Sequence, residues 1–123
     1  METISAVAAL SALAHEGRLD VFRLLVRAGD GGMAAGDIAR RLEVLPNTLS
    51  SNLNILSIAG LVTSRRQGRS IIYAASYERM RELIAFLLED CCGGAPEICA
   101  PLAEVAARAA CCPTNACATE DAT

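Results

Sequence analysis

Apolar residues recur at helical spacing in five successive segments of this 123-residue chain, with a short strand-like interval before the fifth. The fourth segment, residues 46–59, has two contrasting faces. Leu49, Leu53 and Leu56 fall at i, i+4 and i+7, one face of a 3.6-residue period. Pro46 suits a first helical position, where its missing N–H costs nothing, and Gly60 can act as the stop. The other face carries Asn47, Thr48, Ser50, Ser51 and Asn54, short hydrogen-bonding side chains with no charge among them. A helix presenting such a row can lie in a major groove, where base edges offer donors and acceptors. After Gly60, residues 61–66 and 69–75 are short β-prone runs with Gln67-Gly68 between them, which predicts a hairpin. Arg65, Arg66 and Arg69 crowd its tip, a chemistry suited to phosphate oxygens. The alternative is a buried amphipathic helix followed by a solvated hairpin.

The other segments fit around this pair. Residues 1–14 place Ile4, Val7, Ala8, Leu10 and Leu13 on an alanine-rich helix that is either core or a dimer surface. Residues 16–27 form a second helix with Leu19, Phe22, Leu25 and Val26 inward, ended by Gly29-Asp30-Gly31-Gly32. Residues 36–42 form a short helix with Ile38, Ala39 and Leu42 inward. Glu43-Val44-Leu45 joins it to the Pro46 helix in a helix-turn-helix pattern. Arg40 and Arg41, at its end, either reach backbone phosphate or complement the helix dipole. Residues 77–90 repeat Met80, Leu83, Ile84, Leu87 and Leu88 at +3, +4, +7 and +8. So apolar a helix, late in a small chain, points to a dimer seam shared with the first helix, or else to intrachain core. Residues 101–110 are a further alanine-rich helix candidate. The fold class expected is mainly α with a β-hairpin wing, a winged helix-turn-helix dimeric through its first and last core helices. Residues 1–90 would bind DNA and dimerise, and 91–123 would form a cysteine-rich inducer-binding tail.

Charge alters this picture only in its distribution. The net charge of −3 argues by itself against a nucleic-acid partner. Residues 1–75, however, hold eight Arg against six acids, and residues 76–123 three Arg against eight acids. A mildly basic body thus carries an acidic tail, and the local field matters more than the total. Aromatics make up 3% of the chain, too few for stacking on unpaired bases to be the mode of contact. No signal peptide or membrane span is visible, so the expectation is a cytoplasmic protein with reduced thiols and no membrane partner. No general-base constellation suggests an enzyme.

All six cysteines fall after residue 90, as Cys91-Cys92-x6-Cys99 and Cys111-Cys112-x4-Cys117. No C-x-x-C occurs, zinc-ribbon spacing is absent, and His15 is the sole histidine. What remains is a thiolate-only site. Gly93 and Gly94 let the backbone fold so that Cys99 returns to Cys91 and Cys92. Three thiolates without nitrogen select soft ions, and a cap of three sulfurs suits pyramidal As(III) or Sb(III). The competing reading is a disulfide redox switch. Cys111, Cys112 and Cys117 are a second site, a storage site or incidental. No resident cofactor is required.

The strings ALAHEGRLDVFRLL (residues 12–25), GDIARRL (36–42) and LSSNLNILSIAGLVTSRRQGRSIIYAAS (49–76), with the helix that follows, resemble the ArsR/SmtB family of metalloregulatory repressors. The AGLV-x5-GR-x3-Y pattern carries most of the likeness, which spans about residues 5–90. The resemblance implies a homodimer that binds double-stranded operator DNA, represses its own operon and releases DNA on binding an inducer. Two familiar inducer sites are missing: no E-L-C-x-C precedes the recognition helix, and no histidine occurs in residues 77–90. Asn52 stands where many members have His. The CC-x6-C cluster is similar to the site of an arsenic-responsive subset, which implies As(III) or Sb(III) as inducer. Two other functions remain open: a thiol-redox repressor on the same fold, and a thiolate metal-binding protein with no DNA role.

Overall fold

A computed structural model of the chain describes residues 1–88. The element order is α1 (Thr3–Leu13), α2 (Glu16–Ala28), β1 (Met33–Ala34), α3 (Ala35–Leu42), α4 (Pro46–Ile58), β2 (Val62–Gln67), β3 (Ser70–Ala75) and α5 (Tyr77–Leu88). Met1–Phe86 forms one compact unit. The six cysteines and the helix expected over residues 101–110 lie outside the described residues.

Helices α2, α3 and α4 enclose the core, and the sheet closes one side. Val21, Phe22, Leu24 and Leu25 of α2 are buried together with Ile38, Leu49, Leu53, Leu56, Leu61 and Val62. Leu19, expected inward, is 41% exposed, and Val21 and Leu24 are buried instead. The reason is that α2 packs against both α4 and β3, so its apolar stripe is turned to serve two partners. The corner between α1 and α2 is closed by side chains. Arg18 donates from Nε to the Ala12 carbonyl at 2.6 Å and from Nη2 to Ser11 at 3.4 Å, satisfying the end of α1. His15 caps α2, its Nδ1 accepting from the Gly17 N–H at 3.1 Å.

The antiparallel sheet runs β1-β3-β2. Strand β1, which has too few residues to show a period, pairs Met33 with Tyr73 and Ala34 with Ile72. In the hairpin, Gln67 pairs with Ser70, so the two loop residues are Gly68-Arg69 rather than Gln67-Gly68. Gly68 has φ +65°. That matches the glycine-first loop whose twist suits a hairpin, and it keeps Gln67 in the ladder.

The first and last helices leave apolar surface open. In α1 the buried residues are Ala6, Ala9 and Ala12, while Ile4, Val7 and Leu10 are exposed. In α5 only Leu83 is buried, and Ile84 and Leu87 are exposed. The root of α5 is tied down. Ser76 caps it through its Oγ, which accepts from the Arg79 N–H at 3.2 Å. The Tyr77 hydroxyl donates to the Val26 carbonyl at 2.8 Å. No helix among the described residues is long and apolar enough to cross a membrane.

Candidate nucleic-acid interface

Helix α4 is oriented by what it buries. Leu49, Leu53 and Leu56 lie in the core, and Val44 and Leu49 occupy the positions of a hydrophobic staple across its start. Glu43, in the left-handed region at φ 54° and ψ 48°, ends α3 and turns the chain toward α4. At the other end Gly60 has φ +81°, and the Leu61 N–H returns to the Leu56 carbonyl at 3.0 Å. With both ends and the leucine face committed, Asn47, Thr48, Ser50, Ser51 and Asn54 are all exposed. Asn47, Ser51 and Asn54 stand at i, i+4 and i+7, so they form the centre line of the outward face. Donors and acceptors along one face, free of charge, can pair with base edges.

Asn52 is not on that face. It is 6% exposed, and a Cβ added at Gly17 would sit 3.2 Å from its Nδ2 and 3.3 Å from His15 Cε1. Asn52 therefore packs α4 against the start of α2, and Gly17 permits the close approach. This accounts for Gly17 between His15 and Asn52, which the sequence pattern marks without explaining.

The hairpin arginines are all exposed, but they are not equivalent. Arg65 donates from Nη2 to the Gly31 carbonyl at 2.9 Å, which ties the middle of the wing to the loop after α2. Arg66 points from the opposite face of β2, and Arg69 stands in the loop. At α3, Arg40 is paired with Asp37 one turn earlier. Together with Arg41, Gly32, Ala34 and Ile72, this pair lines an open concavity of about 580 Å³ between α3 and the sheet. Among the described residues no three His, Cys, Asp or Glu side chains come together as a metal site.

Two features of this region escaped the sequence reading. Strand β1, only two residues long, fixes the loop that Arg65 grips. Leu45, immediately before α4, is exposed and makes no capping bond; an apolar residue at an N-cap position was the available signal.

Comparison with known proteins gives the fold a lineage. Residues 13–65 match the model of a helix-turn-helix domain family. The chain is 32% identical over 82 residues to the transcriptional activator HlyU of Vibrio cholerae, covering 67% of this chain and 73% of HlyU. It is 33% identical over 88 residues to the biofilm growth-associated repressor of Agrobacterium fabrum, covering 72% and 71%. Among solved structures, an ArsR-like transcriptional regulator from Rhodococcus sp. RHA1 superposes with a TM-score of 0.64 at 27% identity, covering 84% of this chain and 93% of that one. The homodimeric winged helix-turn-helix DNA-binding domain of Mb0332 from Mycobacterium bovis, a possible ArsR-family regulator, superposes with a TM-score of 0.56 at 28% identity, covering 70% and 80%. The order of helices, the antiparallel hairpin after the reading helix and these relatives agree: the chain belongs to the ArsR family of winged helix-turn-helix transcriptional regulators.

Proposed function

We propose that this chain is a homodimeric transcriptional repressor that binds operator DNA and releases it when As(III) or Sb(III) is captured by Cys91, Cys92 and Cys99. In the free dimer, the α4 helices lie in successive major grooves of a near-palindromic operator, with Asn47, Thr48, Ser50, Ser51 and Asn54 toward the bases. Arg66 and Arg69 hold backbone phosphates, with Arg65 positioning the wing through the Gly31 carbonyl. The dimer forms through α1 and α5, a reading supported by the exposed Ile4, Val7 and Leu10 on α1 and Ile84 on α5. A homodimeric relative supports it further.

The observation that carries the inducer is the cysteine placement. None occurs in the first 90 residues, and Cys91-Cys92-x6-Cys99 begins three residues after the last described residue of the seam helix. Arsenous acid exchanges its three hydroxides for three thiolates, each thiol proton leaving with hydroxide as water, so no oxidant is needed. The ion acts on DNA only through a higher affinity for the released state.

The test is a titration of arsenite into the operator-bound dimer, with Cd(II), Zn(II) and peroxide as parallel arms. Release at stoichiometric arsenite, lost in Cys91→Ser, Cys92→Ser and Cys99→Ser with basal binding intact, supports the proposal. Undiminished binding with the thiols saturated overturns the inducer assignment. Release by peroxide alone assigns the cluster to redox sensing instead.

A further inference from the structure

Leu45 is a poor choice on every local ground. The residue is 73% exposed, so it adds little to the core that takes up Leu42, Val44 and Leu49 around it. It is the N-cap of α4 and makes no side-chain hydrogen bond there. Ser, Thr, Asn or Asp would satisfy a free N–H of the first turn and are strongly preferred. A residue that neither packs nor caps breaks two local rules at once, and such breaks concentrate at functional positions.

Its placement says what it meets. Leu45 directly precedes Pro46 and Asn47, at the N-terminal end of the reading helix, the end that contacts base edges in helix-turn-helix proteins. The outward centre line, Asn47, Ser51 and Asn54, carries hydrogen-bonding side chains only, and beside it an apolar feature of the groove would find just the Thr48 methyl and the edge of Ile55, which is 38% exposed. The major-groove edge has one such feature, the 5-methyl group of thymine. The other strongly exposed aliphatic residue on this helix, Ile58 at 79%, is at the opposite end. Thirteen residues separate the two, about 20 Å along the axis, more than the groove is wide.

We propose that Leu45 is a specificity-determining residue that contacts a thymine methyl in each operator half-site. This rests on the DNA-reading role of α4 argued above, and it is independent of the inducer.

The experiment uses the full-length dimer and a duplex spanning the promoter upstream of its own gene. Each thymine in the protected region is replaced singly by deoxyuridine, which removes only the methyl. Wild type should lose about fourfold in affinity at one position per half-site, the worth of one buried methyl group. Leu45→Ser should bind the thymine duplex more weakly and be indifferent to that replacement, while melting at a higher temperature because serine restores the cap. Ile58→Ala should keep the wild-type methyl sensitivity. A wild-type protein indifferent to every replacement, or Leu45→Ser retaining the sensitivity, overturns the assignment and leaves DNA reading by α4 standing. Failure of wild type to bind the promoter duplex at low salt overturns the DNA reading itself, and this inference with it.

Discussion

Helices α1 and α4 both turn a row of side chains away from the core, and the rows differ in kind. On α1 the outward residues are Ile4, at 81% exposure, with Val7 and Leu10, and the inward ones are three alanines. On α4 the inward residues are three leucines beside Asn52, and the outward row is Asn47, Ser51 and Asn54 with Thr48 and Ser50 beside it. Alanines facing inward let α1 approach its neighbours closely while leaving its larger residues unburied. Aliphatic side chains gain only by leaving water for another apolar surface, so α1 is finished for protein. Uncharged amides and hydroxyls lose little in water and gain directional partners on base edges, so the α4 row has the chemistry the proposed DNA contact needs. Exposure alone does not distinguish an unused surface from a site; the chemistry of the exposed row does.

The largest test of this contrast is to place a charge on the α1 row. Val7→Glu should leave each protomer folded, because Val7 is exposed, and should convert the dimer to monomer in sedimentation experiments. Operator affinity should then fall by about 100-fold or more, since two linked half-sites become one. A dimer that survives Val7→Glu removes α1 from the seam. The matching change on α4, Asn54→Ala, should leave the dimer intact and relax discrimination at a single base position by about 1–3 kcal/mol. If Asn54→Ala weakens binding equally on every sequence, Asn54 is not reading a base.

The same contrast explains how much could be read from residues alone. The outward row of α4 was legible because hydrogen-bonding residues alternate with leucines at a helical period, leaving one way to orient the helix. Because α1 is apolar over most of its surface, periodicity could not choose between core and seam; small residues went inward because close helix approach needs them. Strand β1 was invisible because Met33 and Ala34 are held by Tyr73 and Ile72, some forty residues away. Its tight geometry is recorded at Gly32, φ +70°, where an added Cβ would press on the Tyr73 carbonyl. The hairpin turn was misplaced by one residue because the loop needs glycine first, a rule of backbone twist rather than of hydrophobic pattern. The proposed inducer assignment, in contrast, rests on cysteine spacing alone.

A smaller effect separates positioning from contact within the wing. Arg66→Ala should reduce the slope of log K against log salt by about 0.9 for one lost phosphate, equally on specific and nonspecific duplexes. Arg65 already spends a donor on the Gly31 carbonyl. Arg65→Ala should therefore change the slope less than Arg66→Ala and make the loop containing Gly31 exchange its amide hydrogens faster. Equal slope changes for the two would mean that Arg65 also reaches phosphate.

The smallest effect concerns what holds the seam side in place. Tyr77 fixes the root of α5 by donating to the Val26 carbonyl, and burial, reinforced by the Asp30 carboxylate, holds its phenol above the ordinary value of 10.0. Removing the hydroxyl in Tyr77→Phe should cost about 1 kcal/mol at neutral pH. The sign with pH follows from linkage. Because the folded phenol keeps its proton to higher pH than the unfolded one, its contribution is fully present below pH 10.0 and is lost as pH rises through the folded value. Urea melts from pH 7 upward should show a constant gap between wild type and Tyr77→Phe until about pH 10, then a narrowing one as wild type falls faster. If the gap instead shows no narrowing above pH 10.0, the phenol is not the anchor, and α5 is held by the Ser76 cap and by Met80, Leu83 and Phe86 against the core.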